Sequence, residues 1–74
     1  MSKETIERIG KEYRRKNSFI DLEFYSNLSR NKMAAMVETD FTEDRTIIVS
    51  GWVLSITEAR YYTAIQNKKY KNAH

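Results

Sequence analysis

With 74 residues and no cysteine, the chain has room for one domain, 1–74, and can hold neither a disulfide nor a thiolate metal site. A domain this small buries only about 60% of the surface its unfolded chain exposes, so modest stability is expected. The net charge of +3 permits contact with phosphates without demanding it.

Residues 2–15 read as a helix. Ser2 can cap it, Glu4 and Glu7 suit its positive end, and Arg14, Arg15 and Lys16 suit the other. Ile6, Ile9 and Tyr13 form one apolar stripe. Gly10 weakens such a helix by roughly 1 kcal/mol relative to alanine, which points to a close approach to the sheet. From residue 18 the period changes to two. Ile20, Leu22, Phe24 and Leu28 alternate with Asp21, Glu23, Tyr25 and Asn27, which predicts a half-buried strand over 18–28. Ser18 and Asp21 could instead cap a helix carrying Ile20, Phe24 and Leu28; the alternation favours the strand. A second strand is predicted over 33–41, with Met33, Ala35, Val37 and Phe41 inward. After a short polar loop, 46–54 reads as a third strand, rich in β-branched residues. Ser55-Ile56-Thr57-Glu58 has the form of a capping box and opens a helix over 56–70, leaving a tail at 71–74.

Short connections make the strands antiparallel neighbours. The expected fold class is α+β, ordered α-β-β-β-α, with a three-stranded antiparallel sheet and both helices on one face. The other face would then be open. If Ile47, Val49 and Val53 point inward, Ile48, Ser50, Trp52 and Leu54 point outward, with Met36 and Tyr25 beside them. Trp52, Ile48, Leu54, Met36 and Tyr25 are therefore the expected interface residues, for a protein partner or a second copy in a homodimer. A register shift of one residue would instead place Trp52 in the core.

The stretch Gly51-Trp52-Val53-Leu54-Ser55-Ile56-Thr57-Glu58-Ala59-Arg60 resembles the entry to the second helix of double-stranded RNA-binding domains. Gly51, Ser55, Ala59 and Arg60 fall in that family's register, and Ala64 matches a small packing position further on. The resemblance implies the same α-β-β-β-α fold. It also implies weak RNA binding, because Val53 replaces a glycine and Ile56 and Thr57 replace the two phosphate-gripping lysines. The loop Ser29-Arg30-Asn31-Lys32 lacks the family's groove-reaching sequence. Three strands followed by Thr57-Glu58-Ala59 also resemble the arm-binding DNA domains of tyrosine recombinases. There the acidic Asp21, Glu23, Glu38 and Asp40 would repel phosphates.

No enzyme is expected. The only histidine is the last residue, His74, and no glycine-rich phosphate cradle or nucleophile elbow is present. Asp40, Glu43 and Asp44 lack the spacing of a calcium loop, so no metal, cofactor or small-molecule substrate is expected. Thr46-Ile47-Ile48-Val49 is too short to span a membrane, and Lys3 to Lys16 is too charged for a signal peptide. The expectation is a cytoplasmic or nuclear, non-secreted interaction module of adaptor or inhibitor type. The alternative is a nucleic-acid-binding protein that uses Arg14, Arg15, Lys16, Arg30, Lys32, Arg60, Lys68 and Lys69.

Overall fold

The computed structural model describes the backbone of residues 1–72 and the side chains of residues 1–67. Four helices and one β-hairpin follow each other along the described residues: α1 (Lys3–Lys16), α2 (Leu22–Ser26), α3 (Arg30–Thr42), β1 (Thr46–Val49), β2 (Trp52–Ser55) and α4 (Ile56–Asn72). The chain is α+β, but its sheet has two strands, not the expected three. The side chains of Lys68 and Lys69, the end of the predicted tail and His74 lie outside the described residues.

α1 forms where expected. Ser2 Oγ accepts from the Thr5 amide at 3.1 Å, and Arg14, Arg15 and Lys16 occupy the last turn. The predicted strand 18–28 is replaced by α2. Asp21 caps it, its Oδ1 accepting from the Phe24 amide at 3.0 Å, so the local side-chain bond outweighs the period-two pattern. The predicted strand 33–41 is replaced by α3. Ser29 caps it through the Lys32 amide, and Met33, Ala34, Ala35, Met36 and Glu38 are good helix formers. Its less exposed positions are Met33, Met36, Val37 and Asp40, the i, i+3, i+4, i+7 series of a helix face. A carboxylate at the fourth of these places hides that series from a hydrophobicity pattern.

The predicted strand 46–54 folds back on itself. Ser50 and Gly51 have φ of 51° and 81°, and two left-handed residues between paired strands make a type I′ turn. Ile47 pairs with Leu54, Ile48 with Val53 and Val49 with Trp52. Paired residues share a face, so Ile47, Val49, Leu54 and Trp52 lie on one side, while Ile48 and Val53 lie on the other. The turn thereby reverses the facing expected for β2. Val53 points outward and Leu54 inward.

The core joins Ile9 and Tyr13 of α1 to Val49, Leu54 and Ala59, with Ile20, Ile47 and Tyr62 packed against them. α4 is the central element, contacted by α1, α2, α3 and both strands. It crosses α1 at Gly10, where an added Cβ would stand 2.9 Å from the Tyr62 carbonyl oxygen. Gly10 thus serves a helix–helix approach, not an approach to the sheet. The buried Thr63 hydroxyl lies 2.8 Å from the Ala59 carbonyl oxygen and 3.3 Å from that of Gly10.

The start of α4 is satisfied bond by bond. The Glu58 amide donates to Ser55 Oγ at 2.9 Å, and the Ser55 amide donates to Glu58 Oε1 at 2.9 Å. The Thr57 amide donates to Asp40 Oδ2 at 2.8 Å, and the Ile56 amide to the Arg45 carbonyl at 3.1 Å. Ser55→Ala removes one acceptor of the reciprocal pair and is expected to cost about 1 kcal/mol in chemical denaturation. An unchanged midpoint would show that Asp40 alone sets this helix start.

Candidate interaction surface

The type I′ turn and the alternation of β1 and β2 place Ile48 and Val53 directly opposite each other on the outer face of the hairpin. They are 71% and 60% exposed, against 4% for Val49 and 3% for Leu54 on the inner face. A β-branched pair facing water loses the burial that normally rewards it, about 25 cal/mol per Å² of apolar area. The strand residues Thr46–Val49 and Trp52–Ser55 carry no charge. Trp52 is partly exposed on the other face of the hairpin.

The five expected interface residues do not form one patch. Ile48 and Trp52 sit on opposite faces of the hairpin. Leu54 is in the core and Tyr25 is 9% exposed, both removed from any open face. Met36 lies half-buried on α3. Val53 is the outward residue that the sequence pattern assigned to the core. The one signal in the sequence that bears on it is Ser50-Gly51 between two apolar runs, a dipeptide that marks turns in general.

The basic residues have separate settings. Arg14, Arg15 and Lys16 are exposed on the last turn of α1, and Arg14 and Arg15 line a shallow groove with Thr63, Gln66 and Asn67 of α4. Arg30 and Lys32 are exposed at the start of α3, where the Lys32 ammonium lies 5.5 Å from the Phe24 ring centre. Arg60 is used inside the fold. Its Nη1 donates to the Tyr25 hydroxyl at 2.9 Å and its Nε to the Tyr13 hydroxyl at 3.3 Å, tying α4 to α2 and α1. The Tyr25 bond holds the Arg60 pKa above its ordinary value, against burial and with help from Tyr13. Among the described residues, no group of three or more histidine, cysteine, aspartate or glutamate side chains is placed to hold a metal ion. None of their helices is long and apolar enough to cross a membrane.

Two carboxylates anchor the hairpin and its neighbours. Ser50 of the turn donates to Glu12 of α1, and that bond, with Lys16 and Arg15 nearby, keeps the Glu12 pKa below its ordinary value despite some burial. Burial acts to raise the Asp40 pKa, but the Thr57 bonds and Arg45, 3.2 Å away, outweigh it and the net shift is downward. Groups depressed on folding stabilise the protein above their unfolded pKa and lose that contribution as the pH falls through the folded value. The unfolding midpoint should therefore hold from neutrality to about pH 5 and fall below about pH 4. Thermal scans across that range check this, and Asp40→Asn should flatten the acid limb while lowering the plateau.

Together these features define a small α+β domain built on a central helix, with a short hairpin exposing apolar residues. No protein-family model matches the chain, and no curated protein or solved structure shows significant similarity to it.

Proposed function

We propose that this protein is a non-enzymatic interaction module, of adaptor or inhibitor type, that binds protein through its β-hairpin. The observation that carries this reading is the exposed Ile48–Val53 pair on the outer face. Among the described residues its two strands have no third strand beside them, and strand edges recruit extended partners through backbone hydrogen bonds. A cytoplasmic or nuclear setting suits a cysteine-free chain of this kind. A photoreactive residue at position 48 should capture a protein in cells, whereas the same residue at exposed Arg8 should not. Equal yields at both positions would count against the hairpin.

Exposure of Arg14, Arg15 and Lys16 on one helical turn favours nucleic acid as the second reading. Arg60, the basic residue at the matched position of the RNA-binding pattern, is already engaged by two tyrosine hydroxyls. Duplex RNA binding near physiological salt is accordingly expected to be weak, with a salt slope set by a few neutralised phosphates. Gel shifts at two salt concentrations test this. Tight, length-dependent binding abolished by Arg14→Ala and Arg15→Ala together would promote the second reading over the first.

A further inference from the structure

We infer that the groove between α1 and α4, separate from the hairpin, is a binding site for a small phosphate ester. α1 lines it with Lys11, Arg14 and Arg15, and α4 with Thr63, Gln66 and Asn67, around a space of about 260 Å³. The lining holds three cations and no carboxylate. The three cations stand at i, i+3 and i+4 and so share one side of α1. Lys11 and Arg15 also line the neighbouring groove, where Glu4, Glu7 and Glu12 offset them. Arg14 does not line that groove, and its guanidinium makes no hydrogen bond or ion pair among the described residues.

Gln66 supplies an independent observation. It is only 8% exposed, yet its side-chain amide makes no hydrogen bond among the described residues. No fully buried side-chain nitrogen or oxygen among those residues lacks a partner, so the Gln66 amide atoms open into the grooves that Gln66 lines. One of these is walled by Ile6 and Ile65, and the other carries Arg14. A buried amide without a partner is destabilising, and an acceptor held beside Arg14 would satisfy it. The Thr63 hydroxyl is already committed to the backbone carbonyls of Gly10 and Ala59. The groove thus presents donors without an acidic acceptor, which selects an anion, and the guanidinium fork suits phosphate oxygens. Cations spaced over i to i+4 span roughly 6 Å along the helix, enough for one phosphate group or a linked pair. A nucleic-acid backbone calls for cations spread over a longer track. Size therefore favours a small mono- or diphosphate ester.

Titration of the labelled full chain with pyrophosphate, at constant ionic strength, tests the site through the NMR signals of the Arg14 Nε–H and the Gln66 amide. Both should move along one saturable curve. Arg14→Gln should raise the pyrophosphate Kd about tenfold. Gln66→Leu should raise it about fivefold while the thermal unfolding midpoint holds or rises, because the amide it removes has no internal partner. Arg8→Gln takes the same charge from α1 outside the groove and should change the Kd by less than about twofold. Shifts that never saturate, an Arg8→Gln loss equal to that of Arg14→Gln, or a Gln66→Leu protein that binds like wild type would overturn the site. Should Gln66→Leu fail to fold, the contrast between Arg14→Gln and Arg8→Gln decides. A single-stranded oligonucleotide titration separates the sources of phosphate. Affinity no greater than that of pyrophosphate at any length supports the small ester, and affinity that climbs with length overturns it.

Discussion

Ile9→Ala is expected to cost about 3 kcal/mol, within the range for truncating a buried isoleucine. Ile9 is completely buried and packs at the junction of α1, the hairpin and the first turns of α4. A domain of this size holds roughly 4–11 kcal/mol in total, so the loss is a large share of its stability. The small size also limits how far the surroundings can collapse into the space vacated. Urea denaturation should show a midpoint far below wild type with an unchanged slope. A midpoint close to wild type would mean that the two helices and the hairpin do not share one core.

Gly10→Val should be comparably damaging, about 3 kcal/mol, for the opposite reason. At an open helical site, replacing glycine by alanine gains up to about 1 kcal/mol from helix propensity. Here the new Cβ would meet the Tyr62 carbonyl oxygen at 2.9 Å and the Gln66 Cβ at 3.3 Å. The first neighbour is backbone of the central helix, which cannot rotate away. Packing therefore outweighs propensity, and the branched valine adds further atoms at the crossing. Thermal unfolding of Gly10→Ala and Gly10→Val reads the sign. A stabilised Gly10→Ala would show that α1 and α4 stand further apart than this crossing requires.

The helices at the two ends were legible because their boundaries are written in local chemistry. Ser2 with its acidic and basic turns marks α1, and the Ser55–Glu58 reciprocal bonds mark α4. The middle of the chain was not. In 20–28 the alternation of apolar residues competed with Asp21 as a cap, and the cap prevailed. In 33–41 the helical face includes Asp40, whose carboxylate faces inward because it serves Thr57 and Arg45 across the fold. A tertiary partner of that kind leaves no mark on local periodicity. The hairpin was hidden because Ser50 carries a left-handed backbone that serine adopts rarely, so 46–54 read as one strand.

The same turn decides which residues of the candidate surface were found. Ile48 precedes it and is exposed on the outer face of the hairpin. Val53 and Leu54 follow it, and their facing is exchanged relative to an unbroken strand. The open three-stranded face expected from the sequence does not exist. What exists is a smaller apolar surface with two adjacent strand edges, built on a helix whose first turn is held by Ser55, Asp40 and Arg45.

That the hairpin is the contact surface is tested most directly by amide NMR of the labelled protein, titrated with clarified cell lysate and separately with duplex RNA near physiological salt. The account predicts that lysate shifts or broadens Thr46–Val53 selectively, while RNA produces only small, unsaturated changes. Saturable RNA-induced shifts at Arg14–Lys16 and Arg30–Lys32, with the hairpin signals unmoved in both titrations, would contradict it.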